Sequence, residues 1–429
     1  MGTVMAWVTI VRYGIVQAAI VAGTVLPITT LPRIMQNELG FLAIVAGGLV
    51  GIYYTSQLTR LIAGALSDMA ERRTPFIIIG LGLCGASSVL AAHAIGWIAQ
   101  DAPFAVAFAV LGYVGVGIGI GVAGTTLFAL LAASVAPQRR APAATIVWFI
   151  MIASLAGTTV AAGQAMTPFT FERLNEVALI IAVVAFIVGT LGIIGTEPRE
   201  ANAGERAKPK LRDALKTLVE PSTRSFALFI FVSMFAYNMQ ELILETFLGA
   251  QHGLDAGEST SFSGYHKAGV PVGMLVAAVT GRFFQGTRGV LLALTIAGCL
   301  GSATALLSLA ASSYGAAPGQ LVATIALLGF SNGLFAGGAL ASMFALAGGG
   351  VERREGTRMG AFGLAQAFGF GAGMFFGALQ LDATRQFLSD ASAFASVFVI
   401  EAAVFAAASL LAIRISRAPS SVPAQAYPA

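Results

Sequence analysis

The chain has 429 residues, of which 57% are hydrophobic and 10% charged, with a formal net charge of +4. Soluble domains carry about a quarter charged residues, so this much apolar side chain excludes a water-soluble globule and makes a bilayer the natural solvent. The basic excess is dispersed over short loops, which excludes nucleic-acid binding, and Cys84 and Cys299 each fall inside an apolar span, where neither a disulfide framework nor a CxxC metal site can be built.

The first apolar span is expected near 13–32. No basic region precedes it and no small-residue cleavage pattern follows, so a cleavable signal peptide is not expected. Further spans fall at 42–63, 76–98, 104–132, 144–165 and 177–195. Each reaches about 20 residues, the helical length that crosses hydrocarbon. Backbone polar groups in lipid must be satisfied internally, and no segment alternates with period two, so the spans read as helices and a β-barrel is excluded.

Between the second and third spans, Gly64-Ala65-Leu66-Ser67-Asp68-Met69-Ala70-Glu71-Arg72-Arg73 sets a glycine, an acid and a basic pair at a spacing that resembles the cytoplasmic signature of the major facilitator superfamily. The resemblance implies that Asp68, Arg72 and Arg73 pair with neighbouring helix ends and brace one of two alternating conformations. The plainer reading is that they are orienting charges. The corresponding second-half loop, Gly281-Arg282 to Arg288, lacks the acid. In the fourth span, Gly119-x-Gly121-x-x-Gly124 matches a dinucleotide fingerprint by letter only, because no strand precedes it and no βαβ unit surrounds it. Gly115, Gly119, Gly369, Gly373 and Gly377, at four-residue spacing, fit close helix approach in lipid.

The stretch 196–224, with Pro198, Pro209, Pro221 and mixed charge, is the one long polar segment and divides the spans six and six. It reads as a linker between an N-terminal bundle, 1–195, and a C-terminal bundle, 225–415, with a tail at 416–429. The remaining spans fall near 225–249, 262–280, 289–311, 319–347, 359–379 and 391–413. Alternate loops hold 18 of the 24 Lys and Arg, so these loops and both termini are expected in the cytoplasm. Arg73 and Arg288, Cys84 and Cys299, and Arg199 and Arg414 are each 215 residues apart, and Arg139 and Arg353 are 214 apart. A shared offset is the trace of tandem duplication. The fold class is therefore all-α: an integral membrane protein of twelve transmembrane helices in two six-helix pseudo-repeats, similar to the major facilitator superfamily.

The seventh span carries Asn238, Gln240, Glu241 and Glu245. Carboxylates at mid-bilayer cost about 2.5–3.5 kcal/mol on insertion scales. On one continuous helix Asn238, Glu241 and Glu245, at i, i+3 and i+7, share a face that must line a cavity or meet another helix. His266 and Lys267, at the start of the eighth span, are the natural charge partners. A Glu–Lys pair fixing two helices, a ligand contact and proton coupling all remain open. Glu401, near the middle of the twelfth span with no charge in reach along its helix, reads either as a proton carrier or as a hydrogen-bonding partner of another helix.

Four stretches resemble the PucC/LhaA family of (bacterio)chlorophyll-handling and light-harvesting assembly proteins over nearly the whole chain. They are Leu31-Pro32-Arg33-Ile34-Met35 through Glu38-Leu39-Gly40, Leu66-Ser67-Asp68 through Arg72-Arg73-Thr74-Pro75-Phe76-Ile77, Asn238-Met239-Gln240-Glu241-Leu242-Ile243-Leu244-Glu245-Thr246-Phe247, and Gly360-Ala361-Phe362-Gly363-Leu364-Ala365-Gln366-Ala367. In the third, Glu241, Thr246 and Phe247 stand where the family pattern has Asp, Pro and Tyr, which suggests the branch associated with bacteriochlorophyll biosynthesis genes. The resemblance implies bacteriochlorophyll or a precursor as cargo. It further implies light-harvesting polypeptides or pigment-synthesis enzymes as partners, and a bacterial inner membrane, cytoplasmic or intracytoplasmic, as location. Gln366 joins the binding candidates on that basis. His93, near the outer end of the third span, could ligate a chlorin magnesium, although a lone histidine at a helix end more often packs.

Three functions follow as alternatives. One is a membrane factor that binds or delivers bacteriochlorophyll during pigment synthesis and antenna assembly. Another is a proton-coupled transporter of a small solute. The third is a non-catalytic subunit of a late bacteriochlorophyll synthesis complex. No Ser/His/Asp arrangement, phosphate loop or aspartate-rich diphosphate site supports direct catalysis.

Overall fold

The computed structural model describes residues 7–60, 63, 67, 72–135, 140–197, 221–283, 288–348 and 355–417. Their regular structure is helical throughout. A backbone in hydrocarbon has no water to satisfy its polar groups, and the helix satisfies them within one segment. The first crossing consists of α1 (Trp7–Ala22), a π-helical turn (Leu26–Thr30) and α2 (Leu31–Asn37). Five more follow as α3 (Ala43–Ser56), α4 (Thr74–Ile98), α5 (Ala105–Ser134), α6 (Arg140–Ala165) and α7 (Phe171–Ile193). The second bundle opens with α8 (Pro221–Met239) and α9 (Ile243–His252) as one interrupted crossing, then continues with α10 (Ala256–Phe283), α11 (Arg288–Ser312), α12 (Pro318–Gly348), α13 (Glu355–Arg385) and α14 (Asp390–Arg417).

The two bundles repeat each other in register. Helix α4 recurs 214 positions later as α11, with the same 25 residues of length. Leu26 and Gln240, where the first crossing of each half is interrupted, are also 214 apart. Nine of the described crossings are long and apolar enough to span a membrane. The other three, α3, α10 and α13, pack across the seam between the halves, α3 on α13 and α10 on α6. There polar side chains meet protein rather than lipid.

Small residues let the helices meet backbone to backbone. Gly369, Gly373 and Gly377 on α13 face the backbone of Phe231, Phe235 and Met239 on α8, and Gly329 and Gly333 on α12 face the carbonyls of His266 and Val270 on α10. A Cβ at any of these would strike a neighbouring main chain. The expected role of the four-residue glycine spacing as a contact stripe thus matches the observed packing.

Two expectations are corrected. The first crossing runs from Trp7 to Asn37 rather than 13–32, so Arg33, just past the end of the expected span, lies buried in α2. It reaches Glu38 on its own segment and the carbonyl of Leu254 in the other half at 2.6 Å. The seventh crossing is not one continuous helix: Gln240, Glu241 and Leu242 form a turn between α8 and α9, so its polar residues do not share a single face. Most of the expected linker, and Asp68, lie outside the described residues.

Candidate functional site

The break between α8 and α9 turns side chains outward in several directions at mid-span. Asn238 donates through Nδ2 to the Tyr54 hydroxyl on α3, in the other half, at 3.1 Å. Glu241 takes Lys267 Nζ at 2.8 Å, and the same ammonium donates to Ser263 Oγ at 3.0 Å. Both ionic side chains are almost wholly buried. In α10, Pro271 removes the i→i−4 hydrogen bond to the Lys267 carbonyl, which loosens the helix beside the ion pair.

A second strand of contacts runs through neutral groups. Ser302 on α11 donates to Asn332 Oδ1 on α12 at 2.7 Å, which turns the Asn332 amide nitrogen toward His266 Nε2 at 3.1 Å. The Gln240 amide nitrogen approaches the same Nε2, also at 3.1 Å. Two amide donors converge on one ring nitrogen, so Nε2 is the acceptor and the ring proton sits on Nδ1. Nδ1 is buried without a partner among the described residues. A third line crosses the seam. Thr260 donates to Glu245 Oε2 at 3.0 Å, which leaves Thr30, 2.9 Å away in the π-helical turn, to donate to Thr260.

Aromatic rings border this network. Tyr54 of α3 stands 6.3 Å from Phe370 of α13, Phe370 stands 6.0 Å from Tyr237 of α8, and Tyr237 stands 6.4 Å from the His266 ring. An open groove of about 430 Å³ follows the seam between α6 and α10, lined by Ala153, Ala156, Gly157, Val160, Ala268 and Pro271 among others.

Of the candidates read from the sequence, Asn238, Gln240, Glu241, Glu245, His266 and Lys267 are brought together. Their pairing differs from expectation: Lys267 neutralises Glu241 alone, while His266 and Glu245 hydrogen-bond to neutral partners. Gln366 stands apart on α13, where its amide nitrogen lies 3.9 Å from the Met234 sulfur. His93 turns Nδ1 to the Val89 carbonyl of its own helix at 2.9 Å. Among the described residues no group of three or more His, Cys, Asp or Glu gathers to hold a metal. Arg72 is exposed. The backbone N–H groups of Arg73 and Thr74 donate to Glu197, at 2.7 and 3.1 Å, so Glu197 caps α4.

The sequence reading missed Tyr54, Thr260, Ser302 and Asn332. Asn332, an amide inside an apolar span, carries the same signal that singled out Gln240.

Comparison with known proteins now places this architecture. The family described as PUCC protein matches residues 30–419. This chain belongs to the PUCC protein family. Within the PUCC family, it is 40% identical to the Bacteriochlorophyll synthase 44.5 kDa chain of Rhodobacter capsulatus, over 98% of each chain. It is 24% identical to Protein PucC of Cereibacter sphaeroides, over 92% of this chain and 88% of that one. In fold it is similar to a bacterial homolog of the human lysosomal transporter Spinster in an inward-facing and occupied conformation, with a TM-score of 0.71 at 14% identity over 96% of both chains. It is also similar to a D323A mutant of the nucleoside transporter NupG, with a TM-score of 0.67 at 13% identity over 95% of this chain and 99% of that one. The PUCC chain is thus a multi-pass membrane protein with the fold of major facilitator transporters.

Proposed function

We propose that this protein serves bacteriochlorophyll biosynthesis and light-harvesting complex assembly by binding or delivering bacteriochlorophyll at the seam between its two bundles. The observation that carries the reading is the end-to-end match to a relative named as a bacteriochlorophyll synthase chain, joined to a buried polar cluster where the bundles meet. A chlorin offers a flat apolar face and a few rim carbonyls. The Tyr54, Phe370 and Tyr237 rings supply the matching surface, and Lys267, with its three donors, is the natural group to meet a rim oxygen. The groove beside α6 and α10 gives a lipid-borne molecule a sideways approach.

On this reading the cargo is bacteriochlorophyll or a precursor, and light-harvesting polypeptides or pigment-synthesis enzymes receive or supply it. The membrane is the bacterial inner membrane or its intracytoplasmic photosynthetic extension, with the Arg73 end and both termini in the cytoplasm. The chain acts as a handling factor rather than a catalyst. Purification in mild detergent from a pigmented host tests this directly: near-infrared absorbance should co-elute with the wild type and fall in Glu241→Gln and Glu245→Gln. Unchanged absorbance in both variants would remove the site from the proposal. The transporter fold of the structural relatives favours one second reading, a proton-coupled small-solute carrier, for which a colourless preparation that moves protons with a solute in liposomes would decide.

A further inference from the structure

Glu401 lies in α14, away from the seam, and its side chain is wholly buried. Neither carboxyl oxygen has a hydrogen-bond partner among the described residues. Other buried or capping acids among the described residues have partners: Glu241 has Lys267, Glu245 has Thr260 on one oxygen, Asp382 in α13 accepts from two backbone N–H groups, and Asp255, just before α10, closes a capping turn. The turn of helix on either side of Glu401 presents Phe398 and Phe405, both fully buried, which close on Phe247 of α9 and Phe335 of α12. Aromatic rings thus flank Glu401 on both sides along its helix, and the side chain lies inside protein rather than at a lipid face.

The helices packed on α14 are α11, α8, α9, α13 and, through Phe335, α12, whose sequence holds no titratable side chain. Helix α11 brings the buried Cys299 thiol, and α8 brings Tyr237, whose ring lies tilted toward those of Phe370 and His266. From α9 come Glu245 and His252, the latter against the Phe247 ring, and α13 brings Asp382 and Arg385, the latter bonded to Asp390. None of them pairs with Glu401, whose two oxygens have no hydrogen-bond partner among the described residues. A lone carboxylate cannot persist in such a place, because an ion stripped of water and of any partner takes up a proton instead.

We propose that Glu401 is a proton-binding site, filled in this conformation, that releases its proton only when the packing of α14 against α9 and α11 opens to water. By linkage, a proton bound only in the closed packing favours that packing, so acidity and the closed state support each other. The site is separate from the proposed pigment cluster and needs no cargo, so a colourless preparation serves equally well to test it.

The test is infrared spectroscopy of the full chain in lipid nanodiscs at neutral pH, with wild type, Glu401→Gln and Glu401→Asp. The wild type should show a protonated-carboxyl C=O stretch that survives transfer to D2O with only an isotope shift, vanishes in Glu401→Gln, and moves rather than vanishes in Glu401→Asp. A wild-type spectrum identical to that of Glu401→Gln in this region would overturn the assignment. So would loss of the band in Glu245→Gln with retention in Glu401→Gln. If Glu401→Gln fails to insert, the wild-type and Glu401→Asp pair decides alone: a shifted band upholds the site, and identical spectra sink it.

Discussion

Asp382, at the end of α13, caps the first turn of a helix in the opposite bundle: its two carboxylate oxygens accept from the backbone N–H of Ala43 at 3.0 Å and of Ile44 at 2.7 Å. The first turn of α3 has no side-chain cap of its own, so one half of the molecule completes a helix of the other. Asp255 works in the same sense. It closes a capping turn with Glu258 and also accepts from the Phe169 N–H across the seam at 3.1 Å. With Arg33 on Leu254 and Asn37 on the Thr246 carbonyl, these contacts tie the bundles together at the Arg33 end.

Asp382→Ala should therefore act on the closure of that end more than on folding. Loss of a helix cap costs about 1 kcal/mol, roughly a fivefold change in an equilibrium between tied and open arrangements. Single cysteines placed at Leu42 and Leu388 in a background lacking Cys84 and Cys299 should report greater maleimide labelling or a longer spin–spin distance in the variant. Equal labelling and distance in both backgrounds would show that the cap does not govern closure.

The Glu241–Lys267 pair should show the asymmetry of buried ions. Lys267→Met leaves a carboxylate in the interior without its counter-charge and should destabilise by about 3–5 kcal/mol. Adding Glu241→Gln to that variant should restore much of the loss, because the uncompensated charge is gone. Thermal unfolding in detergent, followed by intrinsic fluorescence, checks the order wild type, double variant, single variant.

Asn332→Leu should cost about 1–3 kcal/mol, the penalty of stranding buried partners, because Ser302 and His266 both lose a contact. Asn332→Asp is the sharper comparison. An acid there still accepts from Ser302 but can no longer donate an amide proton to His266 Nε2, so the ring should change tautomer or charge. Nitrogen chemical shifts of labelled histidine in the two variants measure this.

Gly333→Ala should be poorly tolerated despite adding a single methyl group. The new carbon would meet the carbonyl of Val270, and a main chain cannot turn aside as a side chain can. Overpacking of this kind costs about 1–3 kcal/mol. Gly48→Ala, where the added carbon meets nothing, is the control and should melt like the wild type.

The helical architecture was readable in the sequence because lipid imposes one solution on the backbone, and the shared offset of 214–215 positions announced the two halves. The polar residues at 238–245 were readable for the same reason, since charge at that depth demands a partner. Their pairing was not. The sequence pattern predicts a continuous helix through Gln240, but the chain turns there, and that turn directs Glu241 to Lys267 and Glu245 to Thr260. No proline or glycine marks the turn, so local sequence gave no sign of it. The cross-half caps at Asp382 and Asp255 were equally hidden, because a loop acid near a helix end looks the same whether its helix is near or far along the chain.

Because the opening crossing of each half is severed at the same level, the short pieces beyond the cuts, α2 and α9, lie against one another. They are joined to their parent helices by a π-helical segment on one side and by a three-residue turn on the other. The contact that closes this end of the seam is therefore made in part by two short segments, one from each half, and not by full-length crossings alone.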